Sequence, residues 1–262
     1  MTSYKEILDK ITFSFSTLHQ YEQCPYAFYN RKIDGTELNE GNFYSDAGGY
    51  MHDIQAQIFS NQLNLDDALD YYIENYDNNV CYTAKQSTMD KKYEQGADYL
   101  AALDLSELDN YEILGVEKEV HFELQGYKFI GFIDLLLQNK INGEIILIDH
   151  KSSDHFLKKD GKPLKNQLSN FEAYSKQMYL YSYPIYQEYG KYPSCIVWNH
   201  FYEQTITNIP FVKENYDKTL NWAVDIIHKI YQDEEFAAHL DYMMCHVLCG
   251  YRNSCEYVKG EE

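Results

Sequence analysis

One stretch, GFIDLLLQNKINGEIILIDHKSS (131–153), constrains this chain more than any other. It joins two runs of β-forming residues, YKFIGFIDLLLQ (127–138) and EIILIDHKSS (144–153), through Lys140-Ile141-Asn142-Gly143. Asn-Gly between apolar runs is a strong signal for a tight reversal. Side chains alternate along a strand, so Asp149 and Lys151 face the same side. A hairpin brings Asp134, 15 residues before Asp149, alongside them. Two carboxylates and an ammonium then converge at one sheet edge.

That set suits phosphodiester hydrolysis. Hard cations such as Mg²⁺ and Mn²⁺ prefer carboxylate oxygens. Such an ion polarises a phosphate and acidifies water, while a lysine beside it orients the water and offsets developing negative charge. The backbone carbonyl of His150, between Asp149 and Lys151, is a further ligand candidate. The plain alternative for D-x-K alone is a solvated strand end with an incidental ion pair. Asp134 in a G-x-x-D context, followed by a hairpin, argues against it.

The rest of the chain supports a mixed sheet with helices. Residues 14–31 read as a helix, with Ser14 or Ser16 at its start and Pro25 bending or interrupting it. Further helices are expected over 46–60, entered through Gly48-Gly49, and over 65–77 and 85–103. YEILGVEKEVHFEL (111–124) alternates as a strand, with Gln125-Gly126 as its turn. A helix over 169–189 perturbed by Pro184, a strand over 194–205 and an amphipathic helix over 213–232 follow. Without repeats or linkers, the chain reads as one domain over 1–262: mainly helical to 110, α/β from 111 to 210, and a C-terminal helix with a cysteine-rich segment over 211–262.

Lys and Arg number 22 against 41 Asp and Glu, a net charge of −19, which excludes a general nucleic-acid coat but not an enzyme with a local basic groove. The local basic stretch LKKDGKPLK (157–165) offers Lys158, Lys159, Lys162 and Lys165 as DNA contacts. No apolar run approaches a membrane span, and MTSYKEILDKITFSFS lacks a signal-peptide core, so a soluble, cytoplasmic protein without membrane partners is expected. If the chain is phage-encoded, that compartment is the host cytoplasm. The 27 tyrosines read mainly as half-buried rings.

These residues together resemble the RecB-like and AddB-like branch of the PD-(D/E)xK nuclease superfamily, which includes the iron–sulfur-containing CRISPR-adaptation nucleases. VEKEVHFELQGYKFIGFID (116–134) and IILIDHKSS (145–153) carry the likeness. So does FSFSTLHQYEQCPYAFYNRKI (13–33), similar to the family's S-x-S-x-L-x-x-Y-x-x-C-P-x-x-F-x-Y opening, with Tyr29 displaced by one. GGYMHDI (48–54) resembles the upstream helix whose histidine joins the metal site, which maps to His52. KQMYLYSY (176–183) resembles Q-x-x-x-Y, giving Gln177 and Tyr181, four residues apart on one helix face.

The resemblance implies an α/β fold, a restriction-endonuclease-like mixed central sheet flanked by helices with an α-helical N-terminal part. It implies a metal-dependent deoxyribonuclease, an exonuclease of low sequence specificity in recombination, repair or phage DNA processing. His52, Asp134, Asp149 and the His150 carbonyl would hold Mg²⁺ or Mn²⁺, with Asp134, Asp149, Lys151 and Gln177 catalytic and Tyr181 near DNA. The substrate would be single-stranded DNA or duplex ends, with a helicase or recombinase partner by family habit. The alternative is a non-catalytic DNA-binding or assembly subunit on the same fold, although its catalytic set would be complete. No P-loop, dinucleotide fingerprint or nucleophile elbow points elsewhere.

In a subset of the family, one early and three late cysteines, spaced C-x2-C-x5-C, hold a 4Fe-4S cluster. Cys24, Cys249 and Cys255 fit, but here Cys245 makes the spacing C-x3-C-x5-C and His246 stands in the expected place. A cluster on Cys24, Cys245, Cys249 and Cys255, a Cys₃His zinc site and unligated thiols remain open at this point. Cys81 and Cys195 have no partner pattern and read as small buried hydrophobes.

Overall fold

The alternation over 111–153 becomes three consecutive strands in the computed structural model, which describes residues 4–37 and 41–258. β1 (Tyr111–Leu124) and β2 (Tyr127–Asn139) meet at Gln125-Gly126. Both turn residues have positive φ, 50° and 86°, as a two-residue hairpin turn requires. β3 (Ile145–Lys151) runs antiparallel to β2, with Leu135 opposite Ile148 and Gln138 opposite Ile145. Gly143, at φ 70°, closes that reversal by donating its N–H to the Asn139 carbonyl at 2.8 Å.

β4 (Cys195–His200) lies parallel to β3, and β5 (Thr205–Pro210) antiparallel to β4. The mixed sheet has the order β1-β2-β3-β4-β5. The single strand expected over 194–205 does not form. The chain leaves the sheet at His200, makes a 3-10 turn over Phe201–Glu203 and reverses at Gln204 (φ 51°). That reversal carries neither glycine nor proline, and Phe201 and Tyr202 are buried like strand residues, so the sequence pattern hides it.

The helices follow their local signals. α1 (Lys5–Leu8) precedes α2 (Phe15–Gln23), which Ser14 caps by accepting the Thr17 N–H at 3.1 Å. Cys24 is extended, and the helix restarts as α3 (Pro25–Tyr29), so Pro25 does interrupt it. α4 (Phe43–Phe59) begins before Gly48-Gly49, placing the pair inside the helix. A Cβ on Gly48 would sit 3.3 Å from Ser152 Oγ, so glycine permits close approach to the segment after β3. α5 (Ala68–Asn79) and α6 (Gln86–Ala102) complete the helical part before the sheet. α7 (Leu168–Tyr189) links β3 to its parallel neighbour and runs through Pro184 without breaking. α8 (Lys213–Gln232) follows β5.

The chain divides into two compact units. The described parts of Met1–Asn42, His121–Gly131 and Glu214–Glu262 form one. Its core gathers Tyr4, Tyr21, Phe28 and Tyr29 around buried Phe236, and Tyr21 donates its hydroxyl to Asp233 Oδ2 at 2.8 Å. The other unit comprises Phe43–Val120 and Phe132–Lys213. There Tyr50, Met51, Ile54, Tyr72, Tyr99 and Phe201 belong to one buried cluster. Rings bury large areas while their hydroxyls find partners, which accounts for much of the tyrosine excess. Among the described residues, no helix is long and apolar enough to cross a membrane.

Candidate metal centre

All members of the carboxylate–lysine set lie in the unit built from α4 to β5. The β2–β3 register makes Asp134 and Asp149 the next residues beyond the Leu135–Ile148 pair. Asp134 Oδ2 accepts the His150 backbone N–H at 2.7 Å, tying the two strands together at the site. Lys151 Nζ lies 2.7 Å from Asp149 Oδ2, and both side chains are largely buried, 14% and 6% exposed. The ammonium also donates to Gln177 Oε1 at 3.4 Å and sits 4.2 Å from the Tyr174 ring centre. Three side chains, from β3 and α7, thus fix one lysine.

α4 delivers His52 to the same point. Its Nδ1 is 3.4 Å from Asp134 Oδ2, and its ring hydrogen-bonds the His150 backbone. Burial holds this imidazole below its ordinary pKa, although Asp149 and Asp53 pull the other way. A neutral ring is the form that ligates a metal. The His150 side chain faces away from Asp149, into a buried network. Asn199 Nδ2 donates to His150 Nδ1 at 3.0 Å and to Gln55 Oε1 at 3.1 Å, and Tyr99 OH donates to the same Gln55 oxygen. Burial keeps His150 well below the usual histidine range.

The structure adds a residue that the sequence reading missed, Glu117 of β1. Ligand atoms of His52, Glu117 and Asp134 all lie within 4.8 Å of one another. Glu117 sits at φ 45°, the left-handed region, in a local distortion of the strand. Beside it, a Cβ on Gly115 would strike the Lys118 side chain at 2.8 Å. Lys118 in turn reaches α7, donating to Glu188 at 2.7 Å and Tyr189 OH at 3.1 Å. β1 carries other glutamates, and strict alternation does not single this one out. The available signal was Gly115, since glycine inside a strand marks a bulge or a close approach.

The electrostatics show a surplus of negative charge. Burial, the partners Asp134 and Lys151, and His52 set Asp149 up to about 6, with desolvation dominant. Burial also raises Asp134, against the pull of Lys151. Glu117 is exposed as a residue, yet partial desolvation of its carboxyl and repulsion from Asp134, Asp53 and Asp149 push it up to about 7. Burial works against the Lys151 ammonium, but Asp149, Tyr174 and Asp134 outweigh it and hold the pKa above its ordinary value. One ammonium faces several carboxylates in a dry setting, which is the imbalance a divalent cation relieves. His52, Glu117 and Asp134 supply hard oxygen and imidazole donors at ligand spacing, with Asp149 adjoining. The donor set fits Mg²⁺ or Mn²⁺.

Residues 12–256 match the family model described as the PD-(D/E)XK nuclease superfamily. The chain belongs to this superfamily. Membership implies metal-dependent phosphodiester hydrolysis, generally with Mg²⁺ or Mn²⁺. A crystal structure described as a "Putative exonuclease" from Eubacterium rectale aligns over 99% of this chain and 91% of that one, at 15% identity and a TM-score of 0.54. That likeness concerns the fold. The structure of SSO0001 aligns over 96% of each chain at 16% identity, with a TM-score of 0.33, too low to bear on the fold. A search of curated proteins finds no match.

Other candidate residues of this nuclease fall in different places. Gln177 touches Lys151, as above. Tyr181 is buried at 7% exposure, and its hydroxyl is engaged by Gln177 and the Phe132 backbone, so it braces β2 against α7 rather than presenting a surface. Lys158, Lys159, Lys162 and Lys165 are all exposed on the segment between β3 and α7. The Leu157–Pro163 bridge and the Lys158–Lys162 backbone hydrogen bond shape that segment, and Lys162 pairs with Asp160 at 3.5 Å.

The cysteines of the superfamily-like pattern lie in the unit that includes α2 and α8. Burial pushes the Cys249 thiol up, and Cys24, Cys255 and Cys245 add to the shift, but among the described residues no three cysteines come within the 4.8 Å ligand spacing that His52, Glu117 and Asp134 meet. Met244–Leu248 forms a π-helix. A π turn takes one more residue than an α turn, and this one lies within the C-x3-C segment. His246 is exposed and packs on the Tyr242 ring at 4.7 Å. Of the remaining two, Cys195 is half-buried, whereas Cys81 is exposed rather than buried as its isolation suggested.

Proposed function

We propose that this chain is a metal-dependent deoxyribonuclease, acting as an exonuclease of low sequence specificity in recombination, repair or phage DNA processing. The carrying observation is the excess of carboxylate over ammonium charge where His52, Glu117 and Asp134 come within 4.8 Å and Asp149 pairs with Lys151. The family match over 12–256 and the neighbour described as an exonuclease support the reading, in which residues 1–262 act as one nuclease domain.

In this account His52, Glu117, Asp134, Asp149 and the His150 carbonyl would hold Mg²⁺ or Mn²⁺. When bound, the ion supplies Lewis-acid stabilisation of phosphate charge and acidifies water. Lys151, fixed by Asp149, Gln177 and Tyr174, orients the attacking water and offsets the charge that builds on the phosphate. The water oxygen bonds to phosphorus and gives its proton to solvent, and the bond to the sugar oxygen breaks as that oxygen takes up a proton from solvent. Gln177 positions Lys151, and Tyr181 holds Gln177. The loop lysines 158, 159, 162 and 165 supply phosphate contacts.

The spacing of Cys24, Cys245, Cys249 and Cys255, one residue away from that of the family's cluster-bearing subset, is the ground for a structural 4Fe-4S cluster on these four thiols. His246 stands aside. Six unpaired cysteines suit a reducing cytoplasm, that of the host if the chain is phage-encoded. The net charge of −19 suits delivery of DNA by a basic helicase or recombinase partner.

The test is incubation of anaerobically purified protein with 5′- and 3′-end-labelled single- and double-stranded DNA in Mg²⁺, Mn²⁺ or EDTA. Metal-dependent release of short products from an end is expected. Folded protein that cleaves no DNA under any of these conditions would contradict the reading. Visible absorbance near 400 nm, lost in Cys245→Ser, is expected of the cluster, and a colourless native preparation would contradict it.

A further inference from the structure

The protein has 13 phenylalanines, and among the described residues 12 of them pack their rings against another aromatic ring. Phe132 is the exception. It is 48% exposed, and no other phenylalanine is among the exposed large hydrophobic residues. It belongs to β2, otherwise largely buried from Phe129 to Leu137. Leaving a ring of this size in water forgoes stabilisation that its neighbours obtain.

Its position is informative. Residues two apart on a strand share a face, so Phe132 projects on the side of Asp134, about 7 Å away along β2. Its backbone is held by the Tyr181 hydroxyl, which also bonds Gln177, which accepts from Lys151. The ring therefore stands on a braced strand one pleat from the metal centre, at fixed height and with an open face. Every nucleobase has a π-face of matching size, and an aromatic side chain stacks on it without reading its identity. Bases inside a duplex are already stacked and cannot use such a platform.

We infer that Phe132 stacks the nucleobase of an unpaired nucleotide adjoining the scissile phosphate, and so sets the enzyme's preference for single-stranded DNA over paired DNA. The inference rests on the nuclease reading for the place of the phosphate. The stacking itself is measurable without cleavage.

The experiment uses the full chain and Phe132→Ala, with Phe132→Trp as the rescuing variant. Binding of oligonucleotides carrying 2-aminopurine is followed by fluorescence in EDTA, and cleavage of the same strands with one abasic site moved along them is followed in Mn²⁺. Because Phe132 is exposed, Phe132→Ala should keep the native circular dichroism and melting profile. Wild type and Phe132→Trp should quench 2-aminopurine, and Phe132→Ala should bind single strands roughly 10- to 100-fold more weakly. One abasic position should slow the wild type and leave Phe132→Ala no slower than before. Quenching that depends on Phe132 in a protein that cleaves nothing would uphold the stacking and overturn the nuclease reading. Active wild-type protein matched by Phe132→Ala in quenching, affinity and abasic response would overturn the stacking. So would a change confined to self-association, which would make the ring a protein contact.

Discussion

Lys151 Nζ lies 2.7 Å from Asp149 Oδ2 and 3.4 Å from Gln177 Oε1, with both members of the ion pair largely buried. Removing one partner of such a pair leaves the other charge without compensation, at a cost of roughly 3–5 kcal/mol. Lys151→Met should therefore lower the urea-unfolding free energy of the metal-free protein at neutral pH by about that much, and its midpoint with it. Added Mn²⁺ should restore part of the loss by supplying the missing positive charge. Equal midpoints for wild type and variant in EDTA would show that Lys151 does not hold the carboxylates in place.

Acidity should couple stability to metal binding. Burial, chiefly, raises Asp149 to about 6 and Glu117 to about 7. Carboxyls with raised folded-state pKa values keep protons that the unfolded chain releases. Their contribution is full below the ordinary carboxylate pKa of about 4 and is lost as pH rises through the folded values. Metal-free protein should lose melting temperature between about pH 5 and 8, and Asp149→Asn should flatten that slope. A cation competes with the same protons, so affinity should rise across that window with proton release on binding. Calorimetry in buffers of different ionisation enthalpy measures both, and an affinity independent of pH would contradict the assignment.

Glu117 separates this site from the sequence-derived set. Glu117→Gln removes a charged ligand from the group within 4.8 Å while leaving the side chain's size unchanged. Mn²⁺ affinity should fall at least ~10-fold, the scale set by losing even an indirect ligand contact. Retention of full affinity would place Glu117 outside the coordination sphere.

Asn199 holds the far side of the site. Its amide nitrogen, with two hydrogens to give, lies 3.0 Å from His150 Nδ1, 3.1 Å from Gln55 Oε1 and 2.8 Å from Tyr99 OH. Asn199→Leu leaves buried polar atoms without a donor, which should cost roughly 1–3 kcal/mol in urea unfolding at an unchanged m-value. A variant as stable as the wild type would mean that the network does not brace β3.

Much of this site was legible in residue order because it depends on local rules. Asp149 and Lys151 share a face through strand alternation, and Asn142-Gly143 marks the reversal that brings Asp134 near. His52 required the resemblance, since one histidine on a helix carries no signal of its own. Glu117 was hidden because a distortion at Gly115–Lys118 breaks the alternation that would have located it. β5 was hidden because Gln204 reverses the chain without glycine or proline. The one-residue offset at Cys245 falls where Met244–Leu248 forms a π-helix, which the sequence pattern does not announce. Local chemistry thus wrote the strands of the candidate site, while features that depend on backbone irregularity appeared only in three dimensions.

The most direct test is single-turnover cleavage of end-labelled DNA by wild type and Lys151→Ala, both saturated with Mn²⁺ and both shown to be folded. Saturation removes metal affinity from the comparison, leaving the contribution of the ammonium to the chemical step. The account predicts a rate at least ~100-fold lower in the variant, the scale of losing one group that stabilises transition-state charge. Rates that agree within about three-fold would contradict it, because Lys151 would then have no part in hydrolysis.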